Sequence, residues 1–187
     1  MKYTLGKKRK AQVWIETVIY TLIALVLIAG VLAFIKPKIQ EMQDKAIIEQ
    51  SIELIDGLDK KVLSAVEGAP GNSRLAELII KKGVLEIDGV NDKIVFRLDE
   101  SKSMYSQPGR KNISIGNINI YTEKKGSLNS VSLTRDYKTA YNIQYEEMDK
   151  LKTITKGPTS YNILIVNEGV DSESADKRII INIIPTG

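Results

Sequence analysis

Residues 13–35 read VWIETVIYTLIALVLIAGVLAFI, and this stretch decides the fold. From Thr17 to Ile35 there are nineteen residues without a charge. As an α-helix they span about 30 Å, the thickness of a bilayer's hydrocarbon core. A cleaved secretory signal has a shorter apolar core and a small-residue cut site after it. Lys36-Pro37-Lys38 comes after Ile35 instead, so the run reads as a retained membrane segment, 13–35. One carboxylate, Glu16, stands near its start. A charge inside the bilayer costs on the order of 2.5–3.5 kcal/mol on insertion scales, so an intramembrane acid points to function and raises the question of its partner.

The helical pattern continues past the membrane. Ile39, Met42, Ala46, Ile47, Ile52, Ile55, Leu58, Val62 and Val66 keep helical spacing, and Lys38, Glu41, Asp44, Lys45, Glu49, Asp56 and Lys60 fill the other side. The whole helix is expected from about Gln12 to about Glu67, roughly 80 Å at the α-helical rise. Pro37 lies inside it. Proline lacks the backbone donor and clashes with the Ala33 carbonyl, so a helix kink is expected there.

Gly68-Ala69-Pro70-Gly71-Asn72 breaks the pattern. No Gly-Lys-Ser/Thr follows, so this is a turn and not a phosphate loop. A short helix is expected next, with Ser73 as N-cap, Leu75, Leu78 and Ile79 as buried face, and Gly83 as stop. From Val84 the period changes to two. Val84–Ile87 and Ile94–Leu98 flank Asp88-Gly89-Val90-Asn91-Asp92, a hairpin signal. Ile113 to Ile120 alternate around Gly116-Asn117, and further strands are expected near 128–134, 141–145, 161–166 and 178–184. In meander order these make an antiparallel sheet, covered by the amphipathic half of the helix. The fold class is α+β: a long N-terminal helix, membrane half plus amphipathic half, packed on a C-terminal antiparallel β-sheet head.

Composition narrows the function. The net charge of +4 comes from Lys2, Lys7, Lys8, Arg9 and Lys10; removing these five from 27 basic residues leaves 22 against 23 acidic ones. The remainder has no basic excess to support nucleic-acid binding. Cysteine and histidine are absent, which removes disulfides, thiolate and imidazole metal sites and the familiar nucleophile–base constellations. No catalytic residue, cofactor or metal is expected. Asp171 to Asp176 is acid-rich but lacks the EF-hand spacing and glycine, so it reads as a solvated hairpin loop. Asn112-Ile113-Ser114 is a sequon, which makes Asn112 a glycosylation candidate on an exported domain. Tyr141, Ile143 and Tyr145 share a strand face and read as packing residues.

The segment Lys7-Lys8-Arg9-Lys10-Ala11-Gln12-Val13-Trp14-Ile15-Glu16 resembles the class III signal peptide of archaeal type IV pilins and archaellins. Gln12 and Glu16 match the family's Gln-x-Ser-x-Glu form, whereas Trp14 replaces its usual Ser. The resemblance covers roughly the first third of the chain. It implies that a prepilin peptidase cuts at Lys10-Ala11-Gln12, between Ala11 and Gln12, on the cytoplasmic side. It also implies that the mature chain polymerises as a homo-oligomeric surface filament, with Glu16 meeting the new amino terminus of a neighbouring subunit. The expected division is a basic cytoplasmic leader 1–11, a membrane and filament-core helix 12–36, an amphipathic extension 37–67 and an extracellular β-rich head 68–187. The residues alone also fit a plainer protein: a monomeric single-pass anchor that displays a β-domain as a binding or sensor module. In that case Glu16 snorkels to the head groups, Trp14 is an interfacial anchor and the basic cluster only sets orientation.

Overall fold

The computed structural model describes residues 6–109, 113–171 and 177–186, with side chains from Val13 onward. It divides into two compact units, Met1–Gln40 and Glu41–Gly187. One helix, α1 (Gly6–Val66), belongs to both. Pro37 sits inside α1, where it forfeits the bond to the Ala33 carbonyl without ending the helix.

In the first unit the apolar side chains are exposed on all sides of the helix. Trp14, Tyr20, Val26 and Phe34 point in different directions, and between 69% and 81% of each is accessible. In the second unit α1 has one buried face. Asp44, Ile48, Ser51, Ile55, Leu58, Val62 and Ala65 recur at steps of three and four residues and are all buried. This face is rotated from the one the sequence suggests. Met42 and Ala46, expected inside, are exposed, whereas Asp44, expected outside, is buried. Apolar spacing alone misplaces the stripe because two acids, Asp44 and Asp59, lie on its buried side.

The head carries ten strands: β1 (Ser73–Leu78), β2 (Val84–Asp88), β3 (Lys93–Ser101), β4 (Ile113–Ile115), β5 (Ile118–Lys125), β6 (Leu128–Asp136), β7 (Tyr141–Tyr145), β8 (Leu151–Thr155), β9 (Tyr161–Val170) and β10 (Ile179–Pro185). They form two sheets, not one meander. The six-stranded sheet has the order β4-β5-β6-β3-β2-β8 and the four-stranded sheet the order β1-β9-β10-β7. All pairs are antiparallel except β10 with β7, which run parallel. The expected short helix after Asn72 is strand β1. It pairs with β9 from Ser73 opposite Val166 to Leu78 opposite Tyr161. Ala76 and Leu78 point inward and Leu75 outward, a period of two that Leu75, Leu78 and Ile79 mask by also matching helical spacing. Gly83 does not stop a helix. It turns the chain into β2 at φ +90°, and a Cβ there would lie 2.5 Å from the Phe96 ring and 2.7 Å from the Arg97 carbonyl oxygen.

A single buried cluster joins helix and both sheets. Ile48, Ile55, Leu58 and Val62 of α1 pack with Phe96 and Leu133 of the larger sheet and Ile165 and Ile181 of the smaller. The helix end is capped from the sheets. Asn72 Nδ2 donates to the carbonyls of Ser64 and Ala65, and Asn167 Nδ2 donates to those of Ala65 and Gly68. The breaker 68–72 is thus a capping turn. Asp92, in the left-handed region at φ 52°, fastens the two sheets together. Its carboxylate accepts the Ile143 N–H of β7 at 2.9 Å and pairs with Arg178 at 2.6 Å. Tyr145 and Ile143 are core residues, in line with the sequence reading.

Candidate functional site

The helix from Val13 to Ile35 is a surface without a covering. It is long and apolar enough to cross a membrane, and no part of its most apolar window is buried within the chain. Lipid offers no hydrogen bonds, so polar groups there must be satisfied locally. Two are. The Thr17 hydroxyl donates to the Val13 carbonyl at 2.9 Å, and the Thr21 hydroxyl donates to the Thr17 carbonyl at 2.7 Å. Glu16 is not: among the described residues it has neither a hydrogen-bond nor an ion-pair partner, and it stands exposed between Ile15 and Thr17. A carboxylate accepts only, and among the described residues no donor reaches it. The backbone of Lys10, Ala11 and Gln12 is helical, while their side chains lie outside the described residues. Pro37 is within the same helix. Asn112, and residues 172–176 of the acidic loop, also lie outside the described residues.

Acids in the second unit are treated differently. Asp44, 4% exposed, pairs with Lys82 Nζ at 2.5 Å and accepts the Lys102 N–H at 2.8 Å. Asp59, also 4% exposed, pairs with Arg135 Nε at 2.7 Å and accepts from Asn117 Nδ2 at 3.3 Å. The Arg135 guanidinium in turn lies 4.4 Å from the centroid of the Tyr137 ring. Burial pushes the Tyr137 phenol well above its ordinary range, so it stays protonated at any physiological pH. These clusters pin the helix to the larger sheet and to the loops beside it. Sequence reasoning missed them because the partners are 38 and 76 residues apart in the chain.

No set of histidine, cysteine, aspartate or glutamate side chains among the described residues is arranged to hold a metal ion.

Comparison with protein-family models, curated proteins and solved structures finds no match.

Proposed function

We propose that this chain is a structural subunit of a type IV pilus-like surface filament, made as a single-pass membrane precursor and cut between Ala11 and Gln12 by a prepilin peptidase. The N terminus then faces the cytoplasm and the head the exterior. The observation that carries this reading is Glu16, without a partner among the described residues, on an otherwise apolar, uncovered helix, five residues beyond a run of four basic ones at 7–10 and a small residue, Ala11. A lone carboxylate in hydrocarbon is unfavourable, and so is a lone ammonium. When the amino group of Gln12 on one subunit meets Glu16 of another, each offsets the other's desolvation. The register that joins them fixes the axial step of addition. The exposed apolar helix faces lipid before assembly and other copies of itself afterwards. Catalysis has no part in this role, and the work of the filament is adhesion, attachment or motility.

N-terminal sequencing of protein extracted from membranes tests the processing step. The mature chain is expected to begin at Gln12. Protein that still begins at Met1, in cells with an active prepilin peptidase, contradicts the reading and favours the monomeric anchor.

A further inference from the structure

From Thr17 to Ile35 the side chains with a polar group are Thr17, Tyr20 and Thr21. The threonines are satisfied by their own helix, each hydroxyl donating to the carbonyl four residues before it. The Tyr20 phenol is not. It has no hydrogen-bond partner among the described residues, and 69% of the residue is accessible. A phenol can donate and accept, and in hydrocarbon it loses both bonds unless the protein supplies them. Glu16, one turn before it, accepts only and lacks a donor. The two needs are complementary, yet within one chain Tyr20 and Glu16 do not meet.

Their spacing decides what can bring them together. Gln12, Glu16 and Tyr20 stand at steps of four residues on the continuous helix α1. Each step advances about 6 Å along the axis and about 40° around it, so the three form an evenly spaced line on one side. Trp14 also carries a donor, its indole N–H, but it lies about 200° around the helix from Gln12 and faces away from this line.

We propose that Tyr20 makes a second polar contact between subunits, its phenol donating to the Glu16 carboxylate of a neighbouring copy. The inference rests on the filament reading and gives it a register. Let two copies stand side by side and parallel, the second advanced by four residues. The amino group of its Gln12 then comes level with Glu16 of the first copy. Its own Glu16 comes level with Tyr20 of the first copy. One displacement of about 6 Å makes both contacts. Repeated along the filament, it gives every Glu16 an ammonium from the subunit on one side and a phenol from the subunit on the other. A carboxylate has two oxygens and room for several donors, so the two do not compete. The phenol's bond to an ionised acceptor is also stronger than one between neutral groups. In the membrane the phenol can be wetted by head groups. Within a filament those are left behind, and the neighbouring carboxylate takes their place.

The test compares two single hydroxyl deletions in the full chain. Tyr20→Phe removes the phenol oxygen and keeps the ring. Thr21→Val removes a hydroxyl that already has its partner in the same helix. Filaments sheared from cells are held at a fixed detergent concentration, and the release of mature subunits is timed. Tyr20→Phe should release subunits about tenfold faster or more, whereas Thr21→Val should keep the parental rate. A benzophenone amino acid at position 20 reads the register separately, and decides the matter if Tyr20→Phe does not assemble. On irradiation it should link to the neighbouring subunit within about one turn of Glu16. Unchanged release from Tyr20→Phe filaments, equal acceleration by both variants, or links centred elsewhere overturn this inference and leave the filament reading standing. Parent cells that make no filaments overturn the filament reading itself, and this inference with it.

Discussion

The two parts of α1 dispose of their acids in opposite ways. From Glu41 to Val66 the helix buries Asp44 and Asp59 and gives each a cation from the same chain, Lys82 and Arg135. From Val13 to Ile35 it turns the Thr17 and Thr21 hydroxyls back on its own carbonyls and leaves Glu16 with no partner among the described residues. A buried, paired acid is a structural group whose removal is felt as lost stability. An acid with no partner among the described residues adds nothing to the stability of the head, and on the proposed reading its partner comes from another chain. The same contrast holds for apolar surface: one part buries a stripe, while the other is uncovered all round.

The strongest way to break this contrast is to remove the paired half. A fragment 41–187 is expected to be soluble and to unfold cooperatively. A fragment 84–187, without the helix and β1, leaves the apolar inner faces of both sheets open and should aggregate. A sharp thermal transition in the shorter fragment would refute the claim that the helix completes the core.

Asp59→Ala strands the Arg135 guanidinium, whose side chain is only 16% exposed. It should destabilise the head by about 3–5 kcal/mol, read from denaturant midpoints. Glu16→Gln in the same assay should leave the head unchanged. If the two substitutions shift the midpoint equally, the division of roles between the acids fails.

Gly57→Ala is the smallest change and has the opposite sign. Gly57 lies inside α1, and nothing stands within 4 Å of a Cβ added there. Alanine should stabilise the head by up to about 1 kcal/mol, because glycine is the costlier residue in a helix interior. Hydrogen exchange across residues 48–66 reads the effect, and faster exchange in the variant would contradict it.

Much of this architecture was legible in the sequence, for physical reasons. The helix from near Gln12 to near Glu67 is written in a charge-free run followed by helical spacing, and α1 ends at Val66. Strands β2 to β7, β9 and β10 follow period-two patterns bounded by turns such as Asp88-Gly89. Four things escaped. Strand β1 is short, and Leu75, Leu78 and Ile79 fit both periods, so its pairing with β9 decided the matter. Strand β8, with Lys152 and Thr153 at its middle, is an edge strand too polar to announce itself. The division into two sheets depends on contacts such as β1 with β9 and β7 with β10, which join distant segments. The buried acids escaped for the same reason. A sequence marks Asp44 and Asp59 as charged helix residues, and only the arrival of Lys82 and Arg135 makes the inner face habitable for them. Glu16 was legible because its peculiarity is local: a charge in an apolar run needs no distant partner to be noticed.

The central claim is that Glu16 acts between chains. Glu16→Gln keeps the size of the side chain and removes its charge, so insertion, leader removal and the fold of the head should persist. Filaments are then counted by electron microscopy from cells expressing the variant and the parent at matched levels. A sharp loss of filaments, with mature protein beginning at Gln12 still in the membrane, is the result expected. Filaments in normal number and form would show that the carboxylate only reaches for the head groups, and would return this chain to a single-pass anchor bearing a β-domain.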